Sequence, residues 1–220
     1  MNANLFFMGA DVFSLIVFLI IFLFSVVLHE VSHGLMAYHL GDSTAKDRKR
    51  LTLNPLVHID PVGSILVPGL LILSGAGMVF GWAKPVPVDF SRLRDRKYGA
   101  TKVALAGPGA NLIIALVFGF LARLILNFWG GIAFFNNLTV IFEIIVWVNL
   151  LLAIFNLLPI PPLDGSHILA TFLPYSWQRV ERIWGRYGFF LLLIFIFFFF
   201  DWLIPVIQFF FKLIVGHYFY

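Results

Sequence analysis

The sequence predicts an all-α polytopic membrane protein with about 5–6 transmembrane or re-entrant helical segments. Three observations lead there. The chain of 220 residues is 61% hydrophobic and 12% charged, with 27 phenylalanines and a mean hydropathy of +0.97. The interior of a soluble domain this size is too small to bury that much apolar surface. The apolar runs are long and continuous, whereas a closed β-barrel is written in weak alternating segments of about 10 residues. The basic residues, finally, gather in short stretches between those runs, as in membrane-protein loops rather than a nucleic-acid-binding face.

Val12 to Leu28 is an uncharged run of 17 residues and predicts a first span to about His39, closed by Gly41 and Asp42. Met1 to Ala10 lack the basic start of a signal peptide, so this helix is expected to be retained. A basic loop with Lys46, Arg48, Lys49 and Arg50 follows. Asn54 to Gly63 is too proline-rich for regular structure. Ser64 to Phe80 is short for a span, and a re-entrant or hairpin element fits it as well as a crossing does. Gly81 to Asp89 reads as extended chain, a short β-hairpin element near 80–90, since each proline moves its predecessor out of the helical region. After a second basic loop, Val103 to Ala122 and Leu138 to Leu158 predict two spans. Tyr175 to Tyr187, basic and tryptophan-bearing, suits an interfacial helix. Gly188 to Phe211, interrupted by Asp201 and Pro205, predicts one kinked span or two shorter ones. The whole, 1–220, reads as a single domain with its core motifs in 20–170 and a C-terminal hydrophobic region over 188–220.

Loop charge orients the chain. The loops at 41–62, 81–102 and 173–187 carry 4, 6 and 3 of the 15 Lys and Arg residues, which puts them on the cytoplasmic side and the N-terminus outside. His29 and His33, Gly107 to Asn111, and Asn156 to Asp164 then all fall toward the cytoplasmic ends of their helices.

Chemistry enters at Leu28-His29-Glu30-Val31-Ser32-His33-Gly34. On a helix His29 and His33 share a face, so both imidazoles reach one metal ion. Glu30, one step round, is placed to take a proton from a water that the metal activates. Polar groups within a bilayer-length helix cost free energy unless paired or metal-bound, which makes function the default reading. With no cysteine in the chain, any metal is held by nitrogen and oxygen. One Zn2+ per chain is expected, with an open position for water and a third protein ligand from elsewhere.

Asp164, beside a helix unwound by prolines and at the same depth, is the preferred third ligand over a plain N-cap role, with His167 in reserve. His39 falls on the far face of a continuous helix. Glu143 falls near the outer end of its span, and Glu181 sits among arginines. Asn156 and Asn111 are amides at site depth, suited to a substrate carbonyl or its oxyanion, or to ordinary interhelical hydrogen bonds. His58 and Asp60 are either groups that steer a ligand from behind or loop residues in water.

Taken together, these residues resemble the site-2 protease family of intramembrane zinc metalloproteases. The resemblance rests on His29 to His33, Asn54-Pro55 through His58-Ile59-Asp60-Pro61, Gly81 to Val86, Gly107-Pro108 with Asn111, and Asn156 through Leu163-Asp164-Gly165. It implies that His29, His33 and Asp164 bind zinc and that Glu30 activates the water. It also implies that the extended segment containing Trp82, Ala83, Lys84, Pro85 and Val86 pairs with an unfolded substrate strand. The PDZ and CBS modules of many relatives are lacking. The expected activity is hydrolysis of a peptide bond in or near a transmembrane segment of a membrane-protein substrate within the lipid bilayer.

Two other readings compete. One is a metal-ion transporter, but Arg123, Glu143 and Asp201 form no polar series through the outer half of the membrane. The other is a catalytically inactive protein that binds transmembrane segments, against which every position of the catalytic pattern is filled.

Overall fold

The computed structural model describes residues 12–74, 81–173 and 178–219. Helix α1 (Val12–His39) has 28 residues. At a rise of about 1.5 Å per residue it is about 42 Å long, more than a hydrocarbon core of about 30 Å. Its first part, as far as Leu28, is uncharged on every side, and its ionisable groups begin at His29. It stops at Gly41, whose φ of 111° only glycine adopts without strain.

The turn that follows is organised by Asp42. Its carboxylate accepts from the backbone and hydroxyl of Thr44, ahead of the short α2 (Thr44–Asp47), and from the amide of Asp89 across the fold. The proline-rich stretch is more regular than expected. Pro55–His58 is a 3₁₀ turn capped by the Asn54 side chain, and Pro61–Leu66 is a wide π turn capped by Asp60. Both prolines sit in a first turn, where a missing N–H costs nothing. The π turn runs into α3 (Val67–Leu73). The apolar stretch Pro61–Leu71 falls in the class of 10–17 residues, too short to cross a bilayer straight. Residues 75–80 of the expected re-entrant element lie outside the described residues.

Residues 81–89 are extended, but the expected β-hairpin is absent: no strand occurs among the described residues. The physical reason lies on both sides of the pairing. Pro85 and Pro87 have no N–H to give, and the facing stretch is wound into the turns that Asp60 and Pro61 impose. Two backbone hydrogen bonds remain, Trp82 N–H to Gly63 at 3.1 Å and Lys84 N–H to His58 at 2.8 Å.

Helix α4 (Gly99–Trp129) and helix α5 (Ala133–Asn156) are both longer than the apolar runs that announced them. The connection between the two expected spans shrinks to 130–132, and the two form an antiparallel hairpin that packs against α1. After α5 the chain turns through Leu157 to Leu163, with a cis peptide at Pro161–Pro162, and enters α6 (Asp164–Phe172). The basic, tryptophan-bearing stretch is the start of α7 (Gln178–Phe198) rather than a separate interfacial helix; residues 174–177 lie outside the described residues. A 3₁₀ turn at Phe200–Trp202, containing Asp201, joins it to α8 (Leu203–Val215), and the chain bends there by 68°. Leu203, Ile207, Phe211 and Val215 of α8 pack on Ala115 of α4 and on Val146 and Leu150 of α5.

Among the described residues three helices are long and apolar enough to cross a membrane, or four if the bent pair is one span. The mostly helical, membrane-length architecture is as expected, while the finer count of 5–6 transmembrane or re-entrant segments is not confirmed: continuous apolar composition marks length available to the chain, not the number of crossings. Ile16, Leu19, Ile20 and Phe24 of α1 and Ile113, Leu116, Val117 and Phe120 of α4 remain exposed. An apolar belt that long belongs in lipid.

Candidate metal centre

His29 and His33 stand one helical turn apart on α1, about 15 Å along the axis from its end at His39 for the first of them. Both are buried, at 6% and 8% exposure. The rings meet edge to face, with the two Nε2 atoms 3.0 Å apart. Asp164, in the first turn of α6, directs Oδ2 at both, 3.2 Å from Nε2 of His29 and 3.3 Å from Nε2 of His33. It is not the cap of α6; that backbone position belongs to Leu163.

The proton positions follow from the other ring nitrogens. His29 Nδ1 lies 2.6 Å from Oδ1 of Asn111, and His33 Nδ1 lies 2.7 Å from the carbonyl of Val103. Both partners only accept, so each imidazole carries its proton on Nδ1 and turns a bare lone pair inward from Nε2. The inward-facing Oδ2 of Asp164 is buried and has no hydrogen-bond partner. Two lone pairs and a carboxylate oxygen around one point repel one another unless a cation stands between them.

The spacing fits zinc. Two ligand atoms about 2.0–2.1 Å from a tetrahedral ion are about 3.3 Å apart, against the 3.0, 3.2 and 3.3 Å found here. Among the described residues this is the one group of three or more His, Cys, Asp or Glu side chains placed to hold a metal.

Helix α4 makes room for the pair. A Cβ on Gly107 would fall 2.4 Å from Nε2 of His33, so only glycine lets α4 approach. Pro108 withdraws the amide that would bond the carbonyl of Ala104, and in the same loosened turn Val103 gives its carbonyl to His33.

Glu30, one step round α1 from His29, reaches the extended segment. One carboxylate oxygen accepts from the amide of Val86 at 2.7 Å. Trp82, Lys84 and Val86 thus turn their N–H groups inward onto Gly63, His58 and Glu30, while Trp82 lies over Gly63, whose Cβ would fall within the indole.

The remaining candidates are elsewhere. Asn111 is fully buried with both ends of its amide engaged by protein, Oδ1 by His29 and Nδ2 by Asn149 at 2.7 Å. No atom is left for a substrate carbonyl, so the amide orients His29 instead. Asn156 is half-buried and donates to the carbonyl of Leu152. His58 is buried and bonds the carbonyl of Thr52; Asp60 caps the π turn. His167 stacks on Phe90, His39 is exposed, and Glu143 pairs with His217 at 3.2 Å. Glu181 lies where side chains are outside the described residues. Sequence reasoning missed Asn149 and Ser25, which complete a buried polar layer beneath the histidines; the available signal was a lone amide in mid-span, seven residues before Asn156.

Comparison with known proteins agrees with this geometry. The family model of Peptidase family M50 matches residues 17–195. YwhC of Bacillus subtilis, which bears a provisional zinc-metalloprotease name, is 38% identical over 185 residues, covering 82% of this chain and 80% of that protein. Rip2 of Mycolicibacterium smegmatis, named in the same way, is 33% identical over 177 residues, or 78% of this chain and 63% of Rip2. Rip2 of Mycobacterium tuberculosis is 33% identical over 162 residues, or 71% of this chain and 57% of that one. The chain therefore spans less than two thirds of the Rip2 proteins. No solved structure matches it. A family match over residues 17–195, a range that contains His29, His33 and Asp164, and relatives at 33–38% identity lead to one conclusion: the chain belongs to Peptidase family M50 and is a zinc metalloendopeptidase built on membrane-length helices.

Proposed function

We propose that this chain is an intramembrane endopeptidase that hydrolyses a peptide bond in or near a transmembrane segment of a membrane-protein substrate. The observation that carries this reading is the convergence of three bare acceptor atoms, two from the membrane-length α1 and one from Asp164 of α6, beside the helix turn that carries Glu30. In this reading His29, His33 and Asp164 hold one zinc ion per chain. When bound, zinc supplies Lewis acidity at the scissile carbonyl and makes the attacking water more acidic.

The protein's own groups do the rest. Glu30 accepts the proton of the attacking water and returns it to the leaving amine, while Asn111 and Val103 fix the rings of His29 and His33. A peptide bond inside a helix is shielded, so the substrate must unwind locally. Residues 82–86, already extended and tied to Glu30 through Val86, offer it an outer edge. Pro85 and Pro87 limit the donors on that edge, so carbonyl groups dominate it. The basic loops orient the site toward the cytoplasmic side.

The test is cleavage of a helical transmembrane substrate by purified protein and by Glu30→Gln. Loss of the base lowers kcat by about 10²–10⁴ with zinc content unchanged. Undiminished cleavage by Glu30→Gln would overturn the mechanism.

A further inference from the structure

Beneath the histidines lies a chain of buried amides that ends on a backbone group. Asn149 of α5, fully buried, donates from Nδ2 to the carbonyl of Ile145 at 2.8 Å and to the hydroxyl of Ser25 at 3.0 Å. The Ile145 carbonyl accepts only, so this contact fixes which end of the Asn149 amide is nitrogen. Oδ1 of Asn149 must then face Asn111, whose Nδ2 donates to it at 2.7 Å. Asn111 in turn presents Oδ1 to His29 at 2.6 Å. Apart from Asn149, the only group among the described residues that holds Asn111 in that sense is the carbonyl of Ser25, at a long 3.4 Å.

We propose that Asn149 is a positioning residue for the metal centre: it locks the Asn111 amide so that His29 keeps its proton on Nδ1 and offers Nε2 to zinc. If the Asn111 amide turned over, Nδ2 would face His29, Nδ1 would have to accept, and the proton would move to Nε2, where it blocks ligation. The inference rests on the zinc reading above and extends it to a residue two hydrogen bonds from the metal ligand's ring.

The experiment is competition for zinc between a chromogenic chelator and the purified full chain, for wild type, Asn149→Leu and Asn149→Asp, with melting curves as the check on folding. Asn149→Leu is expected to weaken zinc binding by about 10–100-fold. Asn149→Asp, whose protonated carboxyl can still donate to the Ile145 carbonyl and keep its other oxygen facing Asn111, is expected to lose less zinc affinity than Asn149→Leu. Peptide cleavage by Asn149→Leu should recover on adding zinc, which a purely structural loss would not do. Asn149→Ala serves the same comparison where leucine is not accommodated. A folded Asn149→Leu or Asn149→Ala protein with wild-type zinc affinity overturns the proposal, as do equal losses in Asn149→Leu and Asn149→Asp. Wild-type protein that takes up no zinc would instead overturn the metal reading beneath it.

Discussion

A Cβ on Gly107 would meet Nε2 and Cε1 of His33 at 2.4 and 2.6 Å and Cε1 of His29 at 2.7 Å. The obstructing atoms are rings already fixed at their far nitrogens by Asn111 and Val103, so neither can step aside. Gly107→Ala should therefore displace the pair by about 1 Å and lower kcat/KM by about 100-fold, the usual cost of such a misplacement. Cleavage kinetics on protein shown to be folded will check it, and a variant with wild-type activity would mean that α4 retreats at no cost. At this scale the candidate site was legible where spacing alone brings residues together: His29, Glu30 and His33 lie within one turn of one helix. Asp164 was readable only through its depth and a resemblance, because 131 positions separate it from His33. Asn149 was not readable, since a lone amide in an apolar run looks the same whether it bonds a neighbouring carbonyl or sets the tautomer of a ligand.

Among the elements, the tie between the end of α1 and the extended segment has the clearest consequence. Burial alone would push the Asp42 carboxyl up, but hydrogen bonds from the Thr44 hydroxyl and from the amides of Asp89 and Thr44 hold it below its ordinary 3.8. A carboxylate held low contributes stability that is complete above its ordinary value and is lost as pH falls through the folded one. Asp42→Asn should cost about 1–3 kcal/mol at neutral pH. The gap in melting temperature between it and wild type should be constant down to about pH 4 and narrow below that. A gap that widens in acid would refute the assignment. The helices themselves were legible from their apolar runs. Their ends were not, because Gly99 to Lys102 and Phe128-Trp129 continue α4 through backbone bonds that composition does not announce. The hairpin near 80–90 failed for a related reason: extended chain was readable from Pro85 and Pro87, but whether a partner strand faces it depends on turns made by Asp60 and Pro61.

For the molecule as a whole, three helices among the described residues, or four if the bent pair is one span, are long enough to cross, and loop charge predicts a direction for each. The first crossing is expected to end in the cytoplasm and the α4–α5 turn at 130–132 to lie outside. Because the chain has no cysteine, single cysteines introduced at Lys97 and Asn137 can be labelled in intact cells. An impermeant reagent should reach position 137 and not position 97; the reverse pattern would invert the topology and put the catalytic level near the outer face.

The amide chain linking Ser25, Asn111 and Asn149 joins three spans at one height. Lipid offers no replacement donors or acceptors, so sliding or rolling any of these helices against the others would strand a polar group in hydrocarbon. The trio therefore behaves as a spindle. Any movement that admits a guest helix is expected first in the stretch 61–74, which contributes nothing to this layer, rather than in α8, which packs on α4 and α5.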